Sequence, residues 1–247
     1  MTSLLRTAAA LLALVLCPLQ AAGQDGEPPS SVEIVAKRDA GWASYRHAYK
    51  AAANFERIMR SRPLIQAHMQ IVPRREGLPL AGLRIELAGE TVAQELAVDA
   101  IGRAVLPMLK QAFEEDAVLR LNRQKDNFRF TGRYSIREKD SGVYGVAELR
   151  AACEQLIGAQ RDSGNRLRLM GKKCAGVRLI YPPASVAGVT FRDATGKLDA
   201  LASADEAPFP DVPMGLYKVV TYRFDAWPAQ GELVTAERPL FIGTLYE

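Results

Sequence analysis

The spacing of hydrophobic and polar positions changes more than once along this chain. From residue 41 to 60 the apolar positions Trp42, Tyr45, Tyr49, Ala52, Phe55 and Met59 recur three or four apart, with Arg46, Lys50, Arg57 and Arg60 on the opposite side. That is the period of an amphipathic helix buried along one stripe. Arg62-Pro63 ends it, because the residue before proline is pushed out of helical φ/ψ space. From Leu64 onward the period drops towards two, predicting strands over 65–72, 83–87, 91–98, 103–107, 117–122 and 127–137. Asp99 to Gly102 carries the composition of a type I turn between two of them.

The strand over 127–137 has the clearest alternation. Phe128, Phe130, Tyr134 and Ile136 share one parity, and Arg129, Thr131, Arg133 and Arg137 the other, so one face is expected in a core and the other wet and positive. A second helix is predicted over 146–160, with Val146, Leu149, Cys153, Leu156 and Ile157 inward and Gly158 and Gly164 weakening and ending it. Strands follow over 166–170, 176–181, 188–192, 215–224, 232–238 and 240–245, with an acidic, proline-rich loop from Asp205 to Pro213 among the later ones.

The pattern predicts a mainly β protein with an N-terminal amphipathic helix and one internal helix. Pro182-Pro183 reads as a linker. It divides the chain into 1–23, a leader; 24–63, an N-terminal segment and helix; 64–181, a β-rich domain holding the helix at 146–160; and 184–247, a second β-rich module. Three blocks recur in order across the two halves. Residues 81–87 resemble 187–193, residues 98–107 resemble 204–210, and residues 117–121 resemble 215–219. They suggest two copies of one small β module, the alternative being chance likeness among short strands.

The same blocks resemble the transthyretin-like (carboxypeptidase regulatory-like) modules. Asp99, Gly102, Arg103 and Pro107 match that pattern in the first copy, and Pro213, Gly215 and Tyr217 in the second. The first copy has Asp116-Ala117 where the modules carry Gly-Tyr. The resemblance implies one or two seven-stranded, immunoglobulin-like β-sandwich modules and no activity. As a whole the chain resembles uncharacterised exported proteins of Gram-negative bacteria.

The first residues change the picture by fixing a compartment. Arg6 is the only charge before residue 24, an apolar run spans Ala8 to Cys17, Pro18 breaks it, and Ala21-Ala22-Gly23 supplies small residues. This is the layout of a Sec-type signal peptide, and the run is too short to span a bilayer. The mature chain is expected to be periplasmic or secreted and soluble, with no transmembrane span, the alternative being an uncleaved anchor. Loss of Arg6 takes the formal net charge from +4 to +3. Cys17 leaves with the signal. Cys153 and Cys174 remain and are expected to pair in an oxidising compartment, against the alternative of two separate buried thiols.

Candidate chemistry is sparse. His47 and His68 are the only histidines, neither sits in an H-x-x-x-H or H-E-x-x-H pattern, and CxxC, G-x-S-x-G and S-x-x-K motifs are missing from the sequence. No catalytic, cofactor-binding or metal-ligating residue is assigned. The carboxylates Glu114-Glu115-Asp116, and Glu95 with Asp99, leave open a hydrolase acting on envelope polymers. Positive charge is patterned instead. Residues 120–139 hold seven basic residues against two acidic ones, and residues 161–178 hold six against one, each a local net of +5. Arg129, Arg133, Arg137, Arg166, Arg168 and Arg178 are expected to form a face that docks an anionic lipid head group, an acidic glycan or an acidic protein of the envelope. An ordinary solvated surface is the alternative. Export makes nucleic acid an unsuited partner. The leading expectation is a non-enzymatic periplasmic binding or scaffolding protein.

Overall fold

The computed structural model describes residues 40–124 and 126–247, and side chains from Ala43 onward. Residues 1–23, expected as a leader, lie outside the described residues, and Cys17 with them. Strand β1 (Ala40–Ser44) pairs with β6 (Val118–Gln124) and leads straight into helix α1 (Tyr45–Met59). The helix starts later than its apolar period predicts because Ser44 caps it, accepting the His47 amide at 3.3 Å. Trp42 therefore belongs to a strand. The chain continues through β2 (Ile65–Pro73), β3 (Ile85–Ala88), β4 (Ala93–Leu96), β5 (Arg103–Ala104), a short helix α2 (Lys110–Glu114), β6 and β7 (Phe128–Ile136).

A second series follows: β8 (Val143–Gly145), helix α3 (Val146–Gln160), β9 (Cys174–Tyr181), β10 (Val189–Arg192), β11 (Leu198–Leu201), β12 (Ser203–Glu206), β13 (Tyr217–Arg223), β14 (Glu232–Thr235) and β15 (Phe241–Tyr246). The protein is mostly β, in three antiparallel sheets ordered β1-β6-β3-β4, β11-β10-β14-β8 and β12-β13-β9-β15-β7-β2-β5.

The two series share one topology. Replacing β1, α1, β2, β3, β4, β5, β6 and β7 by β8, α3, β9, β10, β11, β12, β14 and β15 turns the first four-stranded sheet into the second. The same replacement turns β7-β2-β5 into β15-β9-β12, with β13 inserted between the last two. The counterpart strands β7 and β15 meet antiparallel at Ile136 and Ile242, as a local two-fold axis would place them, and so fuse the halves into the seven-stranded sheet. The repeat breaks between Ile136 and Val143, whereas Pro182-Pro183 lies inside the second repeat, on the link from β9 to β10. Of the matched sequence blocks, 81–87 and 187–193 overlap the counterparts β3 and β10. Residues 117–121 and 215–219 fall on β6 and β13, which are not counterparts.

Helices α1 and α3 lie on one face of the long sheet. α3 packs on Val177, Leu179 and Ile242, and its cluster extends to Ile58 at the end of α1. A second cluster joins Ile85, Leu87 and Leu119 of the first short sheet to Ile71 and Phe128 of the long one. On the opposite face Val72, Ile180, Val219 and Phe241 are covered by Phe209 and Val212 from the acidic, proline-rich loop. Cys153 of α3 and Cys174 of β9 are paired at disulfide distance, with Cα atoms 6.1 Å apart. The segment expected as a strand over 166–170 is instead a run of turns. Local bonds from Leu169 N to Asn165 O and from Met170 N to Leu167 O close it, between Gly164 and Gly171 at positive φ.

Candidate functional site

The two repeats seat their helices differently. α3 buries Val146, Leu149, Ala152, Cys153, Leu156, Ile157 and Ala159, whereas α1 buries only Tyr45 and Ile58. Side-chain size explains the contrast. The middle of α1 presents Ala48, Ala51 and Ala52 to the groove; Ala48 packs against a buried cluster, and none of the three is buried. Its two ends hold it off. The Tyr45 hydroxyl donates to Pro107 O at 2.5 Å and accepts from Leu109 N at 2.8 Å. Towards the other end the Phe55 ring sits over Gly132 of β7, edge-on to Tyr134 with 5.1 Å between ring centres.

Between these props runs a groove of about 650 Å³, walled mainly by apolar side chains such as Ala48, Ala52, Met69, Met108 and Phe130. That volume lies within the range of small-ligand sites. Gln66, Ala67, His68 and Met69 line it consecutively, so the groove meets the edge of β2 and not one face alone. Of the nine residues of β2, β5 pairs only with Met69 and Gln70.

The groove's polar members differ in state. His47 is exposed. His68 keeps part of its surface in the groove, but its Nε2 is shut off from water and has no hydrogen-bond partner. Burial, reinforced by the charges of Arg103 and Arg133, pushes its pKa down to about 3, so the ring is neutral. Gln66 donates to Glu138 Oε2 at 2.5 Å and Ser135 Oγ at 3.1 Å. Glu138, 3% exposed, also accepts from Arg103 at 2.7 Å, which in turn holds Asp99 at 2.7 Å. Arg137 is exposed at one end and gives its Nε–H to Pro63 O at 2.8 Å.

The arginines of the expected docking face separate into three groups. Arg129, Arg133 and Arg137 do share one side of β7, and Arg178 of β9 lies on the same side of the long sheet. Arg133 and Arg178, however, are 19% and 18% exposed and are satisfied from within the chain. The acidic, proline-rich loop folds over them. The Arg133 guanidinium stacks on Phe209, 3.8 Å from the ring centre, and bonds Gln70 at 2.7 Å with Asp211 at 3.5 Å. Arg178 bonds Glu206 at 2.8 Å and Ala207 O at 3.0 Å. Arg166 and Arg168 stand exposed in the turns after α3, away from any strand. The arginines thus do not form one wet face, because Glu206 and the loop after it, 28 residues downstream of Arg178 and far beyond Arg133 in sequence, supply both the cover and the counter-charge.

Apart from Glu95, which stands exposed on β4, the candidate carboxylates are likewise committed to structural partners. Asp116 pairs with Arg46 at 3.1 Å and Glu114 with Lys110 at 3.2 Å. Hydrogen bonds from the Thr91 hydroxyl and amide hold the Glu115 carboxyl below its usual range, the reverse of what a general acid needs. Asp99 accepts the amides of Ile101 and Arg103 and so fixes its own turn. Among the described residues no group of three His, Cys, Asp or Glu is placed to hold a metal ion.

The groove was not marked by any sequence motif. Its signals, a run of alanines on the inner side of α1 and Gly132 in the apolar row of β7, acquire meaning only once the helix is placed on the strand. No family model matches the chain, and no curated protein or solved structure matches it either.

Proposed function

We propose that this chain is an exported, non-enzymatic binding protein of the cell envelope whose first repeat holds an apolar or amphipathic ligand beneath α1. One observation carries the reading: two repeats of the same topology differ in that α3 is pressed onto its sheet while α1 is propped away from its own. A helix that only needed a core would bury its face, since each fully buried aliphatic side chain stabilises by roughly 1.5–3 kcal/mol. Leaving alanines over a groove forgoes that stabilisation, and a bound ligand would restore it. The leader supports a periplasmic or secreted location, and each repeat reads as a transthyretin-like sandwich carrying an added helix. Electrostatic docking on an anionic surface is the weaker reading, because Arg133 and Arg178 already have acidic partners. A carboxylate hydrolase is weaker still, because the acidic clusters are engaged in turns and ion pairs.

Titration of the purified mature protein with 8-anilinonaphthalene-1-sulfonate tests the proposal. Binding is expected to the wild type, and Ala52→Phe, which fills the groove, should weaken it at least tenfold without lowering Tm. Equal binding by both proteins would remove the groove as the site.

A further inference from the structure

The long sheet treats the counterpart strands β2 and β9 unequally. β9 has β15 on one side and β13 on the other, and β13 pairs with all six residues from Gly176 to Tyr181. β2 has β7 along its whole length, from Ile65 to Pro73, but on its other side only the two residues of β5. The chain then leaves the sheet, with Val105 83% exposed. The second repeat therefore contains one strand that the first lacks. The place where it would lie, along Gln66 to His68, opens into the groove under α1, while the Ile65 amide turns back to Arg62 O at 3.4 Å.

Backbone direction agrees. The Ile71 amide bonds Gly102 O on the β5 side, whereas Leu64 O accepts from Arg137 N on the β7 side. Alternate residues of a strand send their amide and carbonyl to the same side. Ala67, in step with Ile71, therefore directs its N–H and C=O to the open edge. Sheet edges of this kind take up extended segments through main-chain bonds, with side-chain pockets setting selectivity.

We propose that the groove receives an extended peptide segment of a partner protein, added antiparallel to β2 as the strand its repeat lacks. The proposal rests on the groove being a binding site and names the class of its ligand. β13 shows what such a strand carries: Val220 and Tyr222 turn towards the α3 side, and Val219 and Tyr217 towards the other, all buried. A peptide in the first repeat would place alternate apolar side chains among the alanines and methionines under α1. Its antiparallel direction brings its C-terminal end to Ile65 and Arg137, just as Arg223 at the end of β13 lies opposite Gly176 at the start of β9. Arg137 takes part in no ion pair among the described residues, so an acidic residue at that end of the peptide finds an available cation. Glu56 also lines the groove and disfavours acid nearer the helix.

The test uses three synthetic peptides of the sequence Tyr217–Arg223 extended by two C-terminal glutamates: one unmodified, and two N-methylated on alternate residues in opposite parities. In strand addition only one parity of amides faces β2. The unmodified peptide is expected to bind the mature protein and to compete with the anilinonaphthalene probe. One methylated peptide should bind on the order of tenfold more weakly or worse, and the other within about threefold of the parent. Equal binding by all three, or no peptide binding while the probe still binds, overturns strand addition and leaves the groove reading standing. Failure of peptide and probe alike removes both.

Discussion

The ring of Phe55 occupies the space that a side chain at residue 132 would need. On β7 the apolar parity runs Phe128, Phe130, Gly132, Tyr134 and Ile136, so the glycine is the gap in an otherwise filled row. That gap seats α1. Gly132→Val is expected to expel the ring and lower stability by about 1–3 kcal/mol, as overpacking does. Because Phe55→Ala removes the same contact, the double variant should lose clearly less than the sum of the two single losses. Urea unfolding of the three variants checks this, and strict additivity would show that the two positions do not meet.

The stacking of Arg133 on Phe209 gives a second expectation. Replacing Arg133 by Ser leaves Phe209 without its cation and Gln70 without its donor inside a covered layer, and should cost about 2–4 kcal/mol. Arg129→Ser and Arg137→Ser, on the same strand face but outside that cover, should stay within about 0.5 kcal/mol. Thermal or denaturant unfolding separates them, and three equal losses would mean the loop does not clamp Arg133.

His68 makes stability depend on pH in a stated direction. Its folded pKa is depressed to about 3 from an ordinary value near 6.5, chiefly by burial. Well above pH 6.5 neither folded nor unfolded chain protonates it. As pH falls through 6.5 the unfolded chain takes up a proton that the folded one refuses, so stability drops until the pH nears 3. Between pH 6.5 and 5 the loss from this residue is about 2 kcal/mol. Comparison of wild type with His68→Gln over that interval isolates it, and parallel pH profiles would contradict the burial of an uncharged ring.

The sequence made some of this plain and hid the rest for physical reasons. Helix α3 is legible to the residue, because its apolar period is bracketed by Gly145 and by glycines past its end. The start of α1 is not, since Trp42 continues the helical spacing by coincidence while Ser44 sets the cap. Alternation on β7 reveals that its arginines share a side, but not that Phe209, Asp211 and Glu206 come back across that side of the sheet. The acidic, proline-rich composition of that loop and the basic parity of β7 were both visible, and only the tertiary path joins them. The groove has the least signal of all. Alanines at Ala48, Ala51 and Ala52 fit a tightly packed helix as well as a propped one, and the choice depends on one glycine on a strand distant in sequence.

Native-state amide hydrogen exchange, read residue by residue by NMR on the ligand-free protein of residues 24–247, bears most directly on the claim that one repeat is open and its counterpart closed. Local opening follows packing and main-chain pairing. The amides of α1 and of Ala67 are expected to exchange on the order of a hundredfold faster than those of α3 and of Val177 to Ile180. Adding the unmodified peptide should slow Ala67 selectively. Equal protection of Ala67 and the β9 amides, or of α1 and α3, would contradict the account, because the first repeat would then be as closed as the second.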